Sequence, residues 1–94
     1  MKRLLFLVTY DIRDDKRRLR VFKIMRNFGE RVQFSVFECL LDRENLKRMI
    51  EKVKGEIDEL EDSVRIYYIP ESAKDRIKIL GVGEVIRDEK FFIV

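Results

Sequence analysis

A chain of 94 residues with one cysteine and neither histidine nor tryptophan has room for one domain, read here as residues 1–94, and lacks whole classes of chemistry. Ser–His and Cys–His nucleophilic catalysis, histidine-ligated metals and an internal disulfide are all excluded. Charged residues reach 41% against a usual ~25%, with 46% hydrophobic and a net charge of +3.

That charge is uneven. Residues 1–40 carry ten Lys/Arg against five Asp/Glu, and residues 41–94 carry eleven against thirteen. A basic half beside an acidic half predicts a polyanion on one surface and leaves a basic partner open for the other. The apolar run Leu4–Val8 is too short for a membrane span or a signal-peptide core. With the lone Cys39, this predicts a cytoplasmic protein without membrane association. Two Asn and one Gln among many Lys, Arg and Glu lean toward a thermophilic source.

Leu4–Val8 is continuous rather than alternating, as in a strand covered on both faces, and it leads through Thr9 and Tyr10 to Asp11. Asp14 or Asp15 then caps a helix over 16–28, stopped by Gly29. Val21, Ile24, Met25 and Phe28 form its apolar face, with Phe22 at the edge. Residues 30–41 are strand-like, as one bent strand or as two separated near Gln33–Ser35. Leu46, Met49, Ile50, Val53, Ile57 and Leu60 predict a second helix over 42–60. Residues 64–69 form another strand, stopped by Pro70, and Gly81-Val82-Gly83 reads as a turn. The order predicts an α+β ferredoxin-like β-α-β-β-α-β sandwich. The apolar end Phe91-Phe92-Ile93-Val94 is an extra strand, and pairing with a second subunit would cover it.

Several residues carry chemistry in this pattern. Asp11, at the end of a core strand, needs a partner for its charge: loop N–H groups, an arginine or a metal ion. Arg13, Lys16, Arg17, Arg18 and Arg20 crowd the first helix start, where they either bind phosphates or simply remain solvated. Phe34 and Phe37 are read first as sheet core and second as base-stacking rings near Arg31. The acids Glu56, Asp58, Glu59, Glu61 and Asp62 are read as a solvated helix end.

The stretches Tyr10-Asp11-Ile12, Asp14-Asp15-Lys16-Arg17-Arg18, Arg31-Val32-Gln33-Phe34-Ser35-Val36-Phe37-Glu38-Cys39 and Val64-Arg65-Ile66-Tyr67 resemble CRISPR-associated protein 2 in order and spacing. The resemblance spans nearly the whole chain. It implies a homodimer in which the C-terminal segment 80–94 is exchanged and two copies of Asp11 face each other. It further implies a Mg²⁺-dependent endonuclease on single-stranded RNA or double-stranded DNA, with Asp11 as catalytic and metal-binding residue. Lys16, read from the basic helix start, joins Arg18, Arg20, Arg31 and Phe37, which match functional positions of the family, as the expected nucleic-acid contacts. The implied role is in CRISPR adaptation, bridging the integrase CRISPR-associated protein 1. Two alternatives remain open at this point. One is a toxin-type ribonuclease similar to virulence-associated protein D, and the other is a non-catalytic RNA-binding module.

Overall fold

A computed structural model describes residues 2–86 and shows the expected α+β architecture. Four strands, β1 (Leu4–Asp11), β2 (Glu30–Gln33), β3 (Val36–Leu41) and β4 (Ser63–Ile69), form an antiparallel sheet in the order β2-β3-β1-β4. Two helices, α1 (Asp15–Met25) and α2 (Arg43–Lys54), pack on one face of it. This is the ferredoxin-like arrangement. The expected strand at 91–94, and with it most of the exchanged segment, lies outside the described residues.

β1 is interior, paired with β3 on one side and β4 on the other. Its period-2 geometry sends Phe6, Val8 and Tyr10 toward the helices and Leu5, Leu7, Thr9 and Asp11 to the opposite face. Val8, Val21, Met25, Phe37 and Cys39 are wholly buried between sheet and helices, with Met49 and Val53 beside them. Leu5 is equally buried on the far face, where the Ile86 N–H reaches Glu38 Oε1 at 3.4 Å. Hence both faces of β1 are covered, as its unbroken apolar run requires.

Asp14 caps α1 by accepting from Arg17 N at 2.9 Å, and Asp42 caps α2 by accepting from Asn45 N at 2.8 Å. Residues 30–41 are two strands, joined by a tight turn at Phe34–Ser35 with a register shift between Arg31 and Gln33. That turn corrects the first reading of Phe34, which is 77% exposed instead of core. The second helix also stops earlier than its apolar spacing predicts. It ends at Gly55, and Leu60 is consequently solvent-exposed. Asp58 folds the following loop by accepting from Leu60 N and Asp62 N, so the chain turns back toward α1. Gly81 and Gly83 both take positive φ, as the predicted turn demands.

Candidate nucleic-acid interface

The end of the sheet where β1 stops gathers the predicted residues on two faces. On the helix side, Tyr10, Arg18, Phe22, Arg31 and Phe34 line a pocket of about 290 Å³. The Arg31 guanidinium lies 4.9 Å from the centre of the Phe22 ring, a cation–π contact that fixes its position. Phe22 in turn packs on Phe37 at 6.0 Å between ring centres, and Tyr10 stacks on Phe37 at 6.3 Å. Phe37 is therefore the buried support of the pocket. With no exposed surface it offers no face to a base, so its expected role as a nucleic-acid contact is corrected. Phe34 has the exposed ring.

Tyr10 is also buried, which raises its phenol above the usual value, while the nearby Arg31 and Arg18 charges pull the other way. It remains a neutral hydrogen-bonding hydroxyl at physiological pH.

The basic helix start divides into residues with different duties. Arg17, not singled out as a contact, is bound to Asp62 through Nε–Oδ2 at 2.8 Å and to Glu61 at 3.2 Å. Arg18 pairs with Asp15 on its own helix, and Arg20 pairs with Glu56 at 2.7 Å. Lys16 is exposed and has no carboxylate partner among the described residues. Arg18 and Arg31 thus converge on the pocket, whereas Arg20 points its charge at the loop after α2. The acidic stretch is correspondingly not a solvated helix end: Glu56, Glu61 and Asp62 each hold an arginine.

Asp11 lies on the opposite face, exposed at the end of β1. The expected core environment is corrected, because on the face that Asp11 shares burial declines from Leu5 to the half-buried Leu7 and Thr9 and ends in the exposed Asp11. No described residue donates a hydrogen bond to its carboxylate. The loop donors go elsewhere, Arg13 N to Asp62 and Arg17 N to Asp14. Thr9 faces Arg65 one step back along the same face, so Arg65 is the diagonal neighbour of Asp11. Tyr67 OH accepts from Arg65 Nη1 at 3.2 Å, an interaction that raises the guanidinium pKa. The nearness of Arg65 to Asp11 was not read from the sequence, because a single arginine in a strand has no signal until the register is known.

A hard, oxygen-preferring cation suits a free carboxylate. Among the described residues no group of three acids or cysteines clusters to hold a metal. Cys39 contributes nothing here: burial, with Glu38 adding to it, pushes its thiol up to about 12, and the side chain is inaccessible.

The family model for CRISPR associated protein Cas2 matches residues 4–77, which include every strand and helix just described. The chain belongs to the Cas2 family. A Cas2 relative from Chloroflexus aurantiacus, named a CRISPR-associated endoribonuclease, is 36% identical over 88 residues, covering 94% of this chain and 95% of its own. The structure of Streptococcus pyogenes Cas2 superposes with a TM-score of 0.74 at 34% identity, covering 83% of this chain and all of that one. A chain from a partial Cas6-RT-Cas1–Cas2 complex superposes at 0.69 with 25% identity, covering 82% of this chain and 90% of that one. No helix among the described residues is long and apolar enough to cross a membrane.

Proposed function

We propose that this Cas2-family protein is a nucleic-acid-binding subunit of CRISPR adaptation that works as a homodimer beside Cas1. Its attached activity is Mg²⁺-dependent cleavage of phosphodiester bonds at paired Asp11 residues. The observation that carries the reading is Asp11 itself: an exposed carboxylate, at the end of an interior strand, that no described residue engages. A Cas2 relative named as an endoribonuclease and a neighbouring chain from a Cas1–Cas2 complex support the activity and the partner. The family match over 4–77 favours this reading over a virulence-associated toxin.

Each residue then has a defined task. Asp11 from each protomer would hold the ion, which when bound supplies a polarised water near neutral pH and charge stabilisation at the phosphate. Arg65, one rung away on the same face, would bind a phosphate oxygen next to the scissile bond. Arg18 and Arg31 would hold the backbone at the pocket, with Phe34 offering its ring to an unpaired base.

The test is a cleavage assay on single-stranded RNA and double-stranded DNA, with Mg²⁺ or EDTA, run with wild type and Asp11→Asn. The reading expects wild-type cleavage that stops in EDTA and in the variant, with binding retained. A folded Asp11→Asn protein cleaving at the wild-type rate overturns the catalytic assignment. Binding without cleavage in wild type leaves the adaptation role as a scaffold.

A further inference from the structure

A second basic site lies at the other end of the sheet. There the C-terminal end of α1 and the outer side of α2 enclose an open groove of about 760 Å³, floored by Leu41 and Phe28. Its walls carry Arg3, Lys23, Arg48 and Lys52 with the amides of Asn27 and Asn45, and among the described residues no acid lines it. Asn45, Arg48 and Lys52 share one face of α2 by their spacing, opposite Lys23 on α1.

What separates this groove from the helix start near Asp11 is how the charge is used. Arg17, Arg18 and Arg20 are each joined to a carboxylate of the same chain. Lys23, Arg48 and Lys52 are exposed and join none among the described residues. Arg48 donates one hydrogen bond, to Asn45 Oδ1 at 3.1 Å, which steadies the guanidinium without neutralising it. An uncompensated cation gains more from an incoming phosphate than one that must first release a carboxylate.

We propose that the groove between α1 and α2 is a second binding site for the phosphodiester backbone of nucleic acid, with Lys23, Arg48 and Lys52 as its phosphate contacts. It deepens the nucleic-acid reading above and does not depend on cleavage at Asp11. Because these residues touch backbone charge and no base edge, the site binds without sequence preference. The Asn amides add neutral hydrogen bonds to phosphate or sugar oxygens.

Fluorescence anisotropy with labelled RNA and duplex DNA, across about 50 to 200 mM salt, tests the site. Three variants are compared with wild type. The first is the groove triple Lys23→Gln/Arg48→Gln/Lys52→Gln. The second is a control triple, Lys54→Gln/Arg76→Gln/Lys78→Gln, which removes the same charge from positions outside the groove. The third is Arg18→Gln/Arg31→Gln. The inference expects the groove triple to flatten the slope of log affinity against log salt by roughly 2 to 3 and the control triple to change it much less. Melting curves establish that each variant is folded, and the three single groove substitutions replace any triple that is not. An unchanged slope in the groove triple, or equal changes in both triples, overturns the inference. Loss of binding in Arg18→Gln/Arg31→Gln alone overturns it while leaving the proposed function intact. Wild type that binds poly-glutamate but neither nucleic acid overturns both.

Discussion

Arg17 and Asp62 are 45 positions apart in the chain and joined by a two-pronged ion pair, Nε–Oδ2 at 2.8 Å and Nη2–Oδ1 at 3.2 Å. The Asp62 side chain has no exposed surface and also accepts from Arg13 N at 3.0 Å and Asp58 N at 2.9 Å. Three of these four donors, from Arg13 and Arg17, tie the β1–α1 loop and the first turn of α1 to the loop before β4, and the fourth, Asp58 N, closes that loop on itself. This clamp sets the position of the α1 start, and with it the side of the pocket that Arg18 provides.

The clamp gives the protein a defined acid response. The Arg17 hydrogen bond, aided by the two backbone N–H groups, holds the Asp62 carboxyl well below its ordinary value of about 3.9. A depressed folded-state pKa contributes stability that is complete above the unfolded value and is lost as pH falls toward the folded one. Thermal stability should therefore fall below about pH 4, and Asp62→Asn should flatten that fall. At neutral pH Asp62→Asn should lower the melting temperature far more than Glu56→Gln. An amide has a single acceptor oxygen and sets N–H groups against donors, whereas the exposed Arg20–Glu56 pair is worth only about 0–1 kcal/mol. Equal melting shifts in the two variants would show that the clamp is not structural.

Gly29 follows α1 and reads in the sequence as a helix stop. Its φ is not positive, so the left-handed cap does not explain it. The reason is close approach: a Cβ there would lie 2.5 Å from Cys39 Sγ and 3.0 Å from Cys39 Cα, against the β3 backbone. Gly29→Ala should cost about 1–3 kcal/mol through overpacking, measured by urea unfolding. A cost below about 0.5 kcal/mol would mean that β3 can yield at this point.

The order of elements, the helix faces and a cap at Asp14 or Asp15 were legible because each follows from periodicity or from a capping residue beside its helix. Val21, Met25, Met49 and Val53 are the core that the 3.6-residue spacing predicts. The errors fall where long-range pairing overrides local pattern. Leu60 continues the apolar spacing of α2, yet the chain must turn after Gly55 to bring Asp62 to Arg17. Asp62 looked solvated because three of its four donors, from Arg13 and Arg17, lie more than 40 positions away in sequence. Phe34 and Phe37 look alike in a strand-like stretch, and only the two-residue turn between β2 and β3 sends them to opposite environments. The same limit hid Arg65, whose nearness to Asp11 exists only in the β1–β4 register.

Those two phenylalanines yield opposite variants. Phe37→Ala should cost about 3–5 kcal/mol of stability, since it empties a fully buried site under Tyr10 and Phe22. Phe34→Ala should leave melting unchanged and weaken single-stranded RNA binding by about 1–3 kcal/mol, with little effect on a duplex whose bases stay stacked. Paired melting and anisotropy measurements check both. Equal weakening on single strand and duplex would remove Phe34 as a stacking platform.

Asp11 separates a metal site from a bare surface charge. The side chain is exposed and receives no hydrogen bond from a described residue, so Asp11→Asn should leave the melting temperature of the metal-free protein unchanged or slightly higher. A rise would come from a dimer in which two facing carboxylates repel each other without an ion between them. Mg²⁺ should then raise the wild-type melting temperature in a concentration-dependent way, because a ligand that binds only the folded state stabilises it by mass action. The Asp11→Asn protein should show no such rise. Differential scanning calorimetry at several Mg²⁺ concentrations, with Ca²⁺ as a second hard cation, makes the comparison without any cleavage readout. Equal stabilisation of wild type and variant would place the ion elsewhere on the protein. No stabilisation of wild type over the whole range would remove Asp11 as a metal ligand, leaving its carboxylate only as a negative charge beside Arg65.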